Sequence, residues 1–167
     1  MKVLRFDDDR IGVLRGEKTV VDVSDLISHR AERGPQRVIE ELIGRFDAYK
    51  PRIEDIAARA EGVPLSGVRL LAPVPRPSRC LAAFVNYLDD PKRTKETLPN
   101  EFFHKAPELV GPGGTIELPD VDRIAVFHAE AELAYVIGRH AKHVSEADAM
   151  DHVFGYVPFF DISARGL

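Results

Sequence analysis

Two glutamates, Glu130 and Glu132, stand two residues apart in the otherwise apolar segment FHAEAELAYVIG, residues 127–138. Side chains alternate between the two faces of a β-strand, so both carboxylates would leave the same face. Neighbouring carboxylates repel each other, and burying them unpaired costs free energy. A hard divalent cation such as Mg²⁺, Mn²⁺ or Ca²⁺ removes both difficulties because it binds oxygen ligands. A polar strand edge in water explains the same spacing without any metal.

A third carboxylate shifts the balance between these interpretations. Asp161 is the single acid in a second apolar segment, FGYVPFFDISAR, residues 154–165. Asp161 could instead cap a turn, since Ser163 follows it closely. Three lone acids on two apolar strands are harder to explain as surface residues, so they favour a metal site with oxygen ligands.

The rest of the glutamate strand sets further expectations. His128 shares the glutamate face and could support a metal ligand or act as a base, but an ordinary edge or core histidine is an equal alternative. The opposite face is apolar throughout, which predicts that it meets a core. That face consists of Ala129, Ala131, Leu133, Tyr135 and Ile137.

The first part of the chain predicts a small β-meander followed by helices. MKVLRF, RIGVLRG and KTVVDVSDLI have the pattern of short strands, and the first two are joined by a DDD turn. In PQRVIEELIGRFDAYK the apolar residues fall on one helical face. Pro51 predicts a break before a second helical segment. Pro73, Pro75 and Pro77 favour a stiff connector, so we place a domain boundary there, with residues 1–72 before it and 73–167 after it.

The second part predicts mostly strands. Apolar segments favour strands in CLAAFVNYL, EFFHKAP and TIELP, and in the two acid-bearing segments. The glycines at 111–114 predict a turn, and SEADAMDHV predicts a short helix with Ser145 as its cap. Residues 88–100 are charged and bounded by prolines, as in a mobile loop or lid. The predicted fold class is therefore α+β with a large share of strand.

The composition indicates which classes of partner the chain binds. The 167 residues carry a net charge of −4 with no basic stripe, which argues against nucleic acid. No segment has the length of a membrane span. Cys80 is the single cysteine, which gives no sign of an oxidising compartment, and we expect it to be buried and inert. These features predict a cytoplasmic protein that binds a small molecule.

Six motifs in order resemble the fumarylacetoacetate hydrolase family over roughly residues 73–167. The family patterns G-x-NY, F-x-KP and G-x-G-x-I-x-LP correspond to FVNY, FFHKAP and GPGGTIELP. The patterns YE-x-EL-x-VVIG and ND-x-SAR correspond to HAEAELAYVIG and FFDISAR, with HVSEADAMDHVFGY between them. Residues 1–72 resemble the family's small N-terminal domain only in general character.

The resemblance implies a mixed β-sandwich or β-roll domain around Mg²⁺ or Mn²⁺, and a homodimer. Glu130, Glu132 and Asp161 fall on the metal-ligand positions, and Lys105 falls on a lysine that contacts substrate. Asn86 and Tyr87 end a predicted strand, where they could line the site or simply pack. The implied activity is hydrolysis of a carbon–carbon bond, decarboxylation or isomerisation of a small 2-oxo or 1,3-diketo acid, through an enolate stabilised by the metal.

Two departures from the family bear on function. Asp90 and Arg93 stand where many members have the His and Glu that activate water. Asp90 is the candidate proton carrier, with Glu96, Glu101 and His104 as alternatives, and Asp is a weaker base at neutral pH. Family members also continue past SAR, so the β-domain is expected to be incomplete at its C-terminal side. The alternative function is a non-catalytic subunit, or one that depends on a partner, which keeps the fold without the lid pair.

Overall fold

The computed structural model of the chain describes residues 1–27, 32–88, 90–106, 108–120 and 126–166. The chain forms two compact units. The first comprises Met1–Ile39 and Arg52–Gly114, and the second comprises Glu40–Pro51 and Thr115–Leu167. The boundary predicted between residues 72 and 73 stays a prediction. No helix within the described ranges is long and apolar enough to cross a membrane.

The predicted meander is confirmed as part of an antiparallel sheet in the first unit. Its strands are β1 (Val3–Phe6), β2 (Arg10–Arg15), β3 (Thr19–Asp22), β4 (Val63–Pro64) and β5 (Leu70–Leu71). They are hydrogen-bonded in the order β4-β3-β2-β1-β5. These strands contribute Phe6, Ile11, Val13, Val20 and Val21 to the buried core.

The turn between β1 and β2 is tied to β5 by Asp7. Its Oδ1 accepts a hydrogen bond of 2.7 Å from the Arg69 backbone N–H, and its Oδ2 accepts one of 2.7 Å from Arg10. The Arg69 N–H lowers the pKa of Asp7 from its ordinary value of 3.8, and Arg10 lowers it further. Asp7 has a φ of 47°, a conformation that Asp and Asn tolerate better than most residues.

The helices differ from the prediction in where the break lies. The first, α1, spans Pro35–Gly44, and the second, α2, spans Phe46–Arg59 and continues through Pro51. The predicted break at Pro51 is wrong. Pro51 lies in the second turn of α2, so its missing N–H removes one backbone hydrogen bond near the helix start. The chain breaks instead after Gly44, since glycine is a weak helix former.

Two further strands form a ribbon in the first unit. Strand β6 (Cys80–Ala83) pairs antiparallel with β7 (Phe102–Lys105), and both are shorter than the segments predicted as strands. Cys80 is partly exposed, so the expectation that it is buried is wrong.

The glycine-rich turn predicted at 111–114 is confirmed. The Gly114 N–H donates to the Gly111 carbonyl at 3.0 Å, and Gly113 has a φ of 77° that favours glycine. A Cβ on Gly111 would lie 2.7 Å from the backbone nitrogen of Ala72, so this glycine permits a close approach to the chain after β5. The strand predicted in TIELP is wrong, because residues 115–120 form no regular element.

The second unit is built on one long antiparallel ribbon. Strand β8 (Val126–Ile137) has 12 residues and pairs with β9 (Val153–Arg165), which has 13. The segment between them ends in a 3-10 turn, Ala149–His152, where a short helix was predicted. The Ser145 hydroxyl oxygen accepts a 3.2 Å hydrogen bond from the Asp148 N–H. The N-cap of the 3-10 turn is Asp148, however, so the prediction that Ser145 caps a helix is wrong. Near the turn, the rings of Phe46 and Phe154 meet edge to face at 5.0 Å.

One face of this ribbon departs from the prediction. Leu133, Tyr135 and Ile137 were expected to meet a core, yet they are 52%, 55% and 59% exposed. Tyr156 and Phe160 on β9 share that face and are also exposed. The alternation was interpreted correctly, but the described part of the chain supplies no layer to cover this face.

Asp7 gives a test of the first unit. We expect Asp7→Asn to lower the thermal unfolding midpoint at pH 7, because the charge that accepts both hydrogen bonds is lost. Since the pKa of Asp7 is lowered by folding, its contribution is present above 3.8 and disappears as the pH falls through the lower folded value. Thermal melts at several pH values should therefore converge with those of the parent in acid. Asp8→Asn, on the exposed neighbour, should match the parent throughout.

Candidate metal centre

The pairing of β8 with β9 brings the three predicted ligand positions together. Glu130 lies directly opposite Asp161, and Glu132 lies opposite Phe159. Because side chains alternate along both strands, all three carboxylates leave one face of the ribbon. Directly opposite residues in such a pair have Cβ atoms roughly 4.5–5.5 Å apart. The ribbon thus brings Asp161 beside Glu130, which precedes it by 31 residues in the sequence.

Burial differs among the acids. Asp161 is only 4% exposed, whereas Glu130 and Glu132 are half-buried. The Ser163 hydroxyl donates to Asp161 Oδ1 at 3.2 Å. The partnership of Asp161 and Ser163 that suggested a turn cap is therefore present, but inside a strand. A buried carboxylate needs compensating partners, so Asp161 is the acid with the strongest demand for a donor or a cation.

A residue that the sequence analysis missed contacts this group. The Arg165 guanidinium donates from Nη2 to Glu130 Oε1 and forms an ion pair with it. Arg165 lies on the same face as Asp161 and Ser163 by alternation along β9. A sequence signal existed, since Arg165 belongs to the SAR motif, but its partner became visible only with the strand register. Its positive charge reduces the repulsion among the three acids.

The donor set suits a hard cation, although the side chains are not closed around one. Within the described ranges, no group of three or more His, Cys, Asp or Glu side chains is arranged to hold an ion as the side chains stand. The three acids offer oxygen donors from adjacent positions of one face, which is the chemistry that Mg²⁺ and Mn²⁺ prefer. Glutamate has three rotatable side-chain bonds, so a change of rotamer can bring its oxygens toward Asp161 with the strands in place.

The other predicted site residues belong to the first unit. Lys105 ends β7, is half-buried, and holds its Nζ 5.9 Å from the centroid of the Phe103 ring. Asn86 and Tyr87 follow β6 and are exposed. The Asp90 carboxylate accepts a 2.9 Å hydrogen bond from the Lys92 N–H, so it closes a local turn. The catalytic and substrate-binding roles of these residues stay predictions.

The backbone just before Asn86 is strained. Val85 has a φ of 48°, in the left-handed region that β-branched residues rarely adopt. Such a conformation costs roughly 1–3 kcal/mol and persists where the surroundings impose it, often at functional sites. The sequence gives no signal for it, because valine favours extended backbone. The strain marks the FVNY segment as one whose shape is imposed.

An apolar pocket lies against the ribbon near the start of β8. Its volume is about 250 Å³. The walls come from the sequence neighbours of two of the acids and from the segment before β8: Ile116, Leu118, Phe127, His128, Ala129 and Ile162. His128 is the one titratable group among them, and its role beside the ligands stays a prediction. Phe127, Ala129 and Ile162 leave the ribbon on the face opposite the three acids, so this pocket is separate from the carboxylate face.

Several known proteins are similar to this chain. Residues 79–167 match the family model described as fumarylacetoacetate (FAA) hydrolase C-terminal. A maleylpyruvate hydrolase from Aquipseudomonas alcaligenes is 32% identical over 182 residues, a match that covers 99% of this chain and 62% of the relative. A mitochondrial oxaloacetate tautomerase from Xenopus laevis is 40% identical over 103 residues, covering 60% of this chain and 32% of the relative.

A solved structure extends the likeness to three dimensions. The maleylpyruvate hydrolase from Sphingobium sp. SYK-6, in complex with manganese(II) and pyruvate, is 31% identical with a TM-score of 0.84. The match covers 100% of this chain and 60% of that one. The mixed fold with a large share of strand is thereby confirmed. The chain spans about 60% of the length of the maleylpyruvate hydrolases that it matches.

Ser163 offers a test of how the buried acid is held. We expect Ser163→Ala to lower the free energy of unfolding by about 1 kcal/mol, because Asp161 loses one hydrogen-bond donor while remaining buried. Denaturant unfolding of the parent and the variant measures the difference. Ser66→Ala, which changes an exposed serine in the first unit, serves as the control. Equal stability of Ser163→Ala and the parent would show that this hydrogen bond does not support Asp161.

Proposed function

Because the chain belongs to the fumarylacetoacetate hydrolase family, we propose that it carries the metal-binding part of an enzyme acting on a small 2-oxo or 1,3-diketo acid. The observation that carries this proposal is the placement of three carboxylates on one face of the β8–β9 ribbon. The reaction is hydrolysis of a carbon–carbon bond, decarboxylation or isomerisation. All three pass through charge that develops on the oxygen of a carbonyl group, so one type of centre serves each of them.

Glu130, Glu132 and Asp161 would hold the ion, with Mn²⁺ and Mg²⁺ as the proposed metals and Ca²⁺ as an alternative. The solved relative that contains manganese(II) and pyruvate supports this choice. A bound divalent ion supplies a Lewis acid that polarises a carbonyl oxygen and stabilises negative charge. The buried position of Asp161 keeps one ligand away from water, which strengthens its interaction with a cation.

The first unit supplies the groups that would handle substrate and proton. Lys105 offers an ammonium group to the carboxylate of an oxo acid, and Asn86 and Tyr87 offer hydrogen bonds that orient it. Asp90 is the proposed proton carrier. Among the alternatives, the hydrogen bond from the Thr94 side chain lowers the pKa of Glu96, which makes it a weaker base than an ordinary glutamate. A lid without the usual His and Glu favours enolisation over steps that need activated water.

Metal binding tests the core of the proposal. We expect Mn²⁺ titrated calorimetrically into the parent to bind at one site, and Glu132→Ala to bind at least tenfold more weakly. Removing one of three carboxylates takes away both a ligand and a charge. Glu146→Gln changes an exposed acid of the same unit and should bind like the parent. A folded parent that binds no Mn²⁺ or Mg²⁺ would refute the proposed centre.

Enolisation can be measured apart from bond cleavage. With Mn²⁺ present, we expect the chain to speed exchange of the C3 protons of pyruvate or oxaloacetate with D₂O, followed by NMR. Glu132→Ala should abolish the exchange. Asp90→Asn should slow it, because the proton carrier is lost, and Lys92→Gln in the same loop should leave it unchanged. Exchange in the parent no faster than with free Mn²⁺ would argue against an active centre in this chain.

The second candidate function, a subunit that acts only with a partner, is favoured by the exposed apolar face of the ribbon. Leu133, Tyr135 and Phe160 are more than half exposed there, and contiguous apolar patches of this kind often mark interfaces. The substitution of Asp90 and Arg93 for the lid pair supports the same alternative.

A homodimer is the oligomeric form that we propose, in keeping with the family resemblance. The proposed location is cytoplasmic, which accords with the single cysteine.

Oligomeric state separates these possibilities. Light scattering after gel filtration should give twice the chain mass of 18.6 kDa. Tyr135→Glu should shift the protein toward the monomer, because a charge would enter the apolar contact. Met150→Glu, on an exposed methionine of the same unit, should not. A parent that is monomeric at all concentrations, or that purifies with a second polypeptide, would contradict the homodimer.

A further inference from the structure

We propose that Arg165 is a positioning residue of the metal centre: its guanidinium holds Oε1 of Glu130 so that Oε2 faces the cation. The inference rests on the proposed function, because it concerns how the same three carboxylates acquire an ion. It goes beyond the three proposed ligands by assigning a role to a residue outside that set.

The strand register places Arg165 where it can do this. Arg165 is the last residue of β9 and lies opposite Val126, while Glu130 lies opposite Asp161. The ion pair therefore runs diagonally across the ribbon, along the face that carries the acids. Nη2 of Arg165 donates to Oε1 of Glu130, and the contact is an ion pair as well as a hydrogen bond.

A carboxylate can serve both partners at once. Its two oxygens have about four lone-pair sites, so a guanidinium on Oε1 leaves Oε2 available. The planar guanidinium donates in fixed directions, and it therefore restricts rotation of the carboxylate about the last side-chain bond of Glu130. A ligand oxygen that is already oriented loses less conformational freedom when the ion binds.

The exposure of the pair argues against a role confined to folding. The side chains of Arg165 and Glu130 are 53% and 32% exposed. Exposed ion pairs contribute little to stability because water and salt screen them. Removal of Arg165 should therefore leave the fold intact while it changes the order of one ligand. Losing a group that holds a metal ligand typically weakens metal binding by 10–100-fold.

The experiment is a Mn²⁺ titration of the parent, Arg165→Gln and Arg165→Lys, with Arg139→Gln as the control. Arg139 lies in the same unit and forms an exposed ion pair with Asp47 at 3.5 Å, so its loss removes the same charge without touching the acids. We expect Arg165→Gln to bind roughly tenfold or more weakly. Arg165→Lys should recover part of the affinity, since it keeps the charge without the fork. Arg139→Gln should match the parent.

Two further measurements distinguish a positioning role of Arg165 from a general loss of stability. The thermal unfolding midpoint without metal should be the same in Arg165→Gln and Arg139→Gln. The electron paramagnetic resonance spectrum of bound Mn²⁺ should broaden in Arg165→Gln, because a less ordered ligand gives a wider range of coordination geometries.

Each remaining outcome has a definite meaning. Affinity in Arg165→Gln equal to or above that of Arg139→Gln would overturn the inference, and a gain would show that Arg165 competes with the ion for Glu130. If Arg165→Gln fails to fold, full affinity in a folded Arg165→Lys would equally overturn the need for the guanidinium geometry. Failure of the parent to bind metal would refute the proposed function itself, which the parent curve reveals before any variant is compared.

Discussion

The candidate site depends on the antiparallel register of two strands, β8 and β9. A shift of one residue would turn Asp161 to the opposite face from Glu130 and Glu132 and would separate the three acids. The register is fixed close to the turn, where the Gly138 N–H donates to the His152 carbonyl at 2.9 Å. A Cβ at Gly138 would lie 2.8 Å from Cβ of Phe154, so the small residue allows the strands to meet there. The strand register shifts between Val136 and Ile137, the two residues before Gly138.

The two faces of this ribbon place opposite demands on their surroundings. On the acid face, the buried Asp161 accepts a hydrogen bond from the Ser163 hydroxyl, and the half-buried Glu130 pairs with Arg165. The other face presents aromatic rings to solvent, with Tyr135 and Tyr156 in edge-to-face contact at 5.2 Å. Two strands alone are marginally stable in water. The ribbon therefore gains from anything that covers the aromatic face, and a covered face would also hold the register on which the acid face depends.

Local pattern predicted much of the fold, and the errors have both local and long-range causes. Strand alternation placed Glu130 and Glu132 on one face correctly, and the first sheet followed the meander that the turn residues indicated. Pro51 was expected to end a helix, but a missing N–H in the second turn removes too little to do so. Neither the partner of Arg165 nor the φ of Val85 could be predicted. The first requires the strand register, and the second requires surroundings that override the extended preference of valine.

The departures from the family fall on one part of the chemistry. Holding a cation requires only the ribbon, and all three acids and the arginine of its motif are retained there. Activation of water requires a base in the lid. In this chain one carboxylate oxygen of Asp90 accepts a hydrogen bond from the Lys92 N–H and closes a turn. The second carboxylate oxygen of Asp90 can still accept a proton, but an aspartate is a weaker base at neutral pH than the histidine of the family pattern. Enolisation needs only a proton shifted next to a polarised carbonyl. Under the proposed function, enolisation therefore depends less on the lid than hydrolysis does.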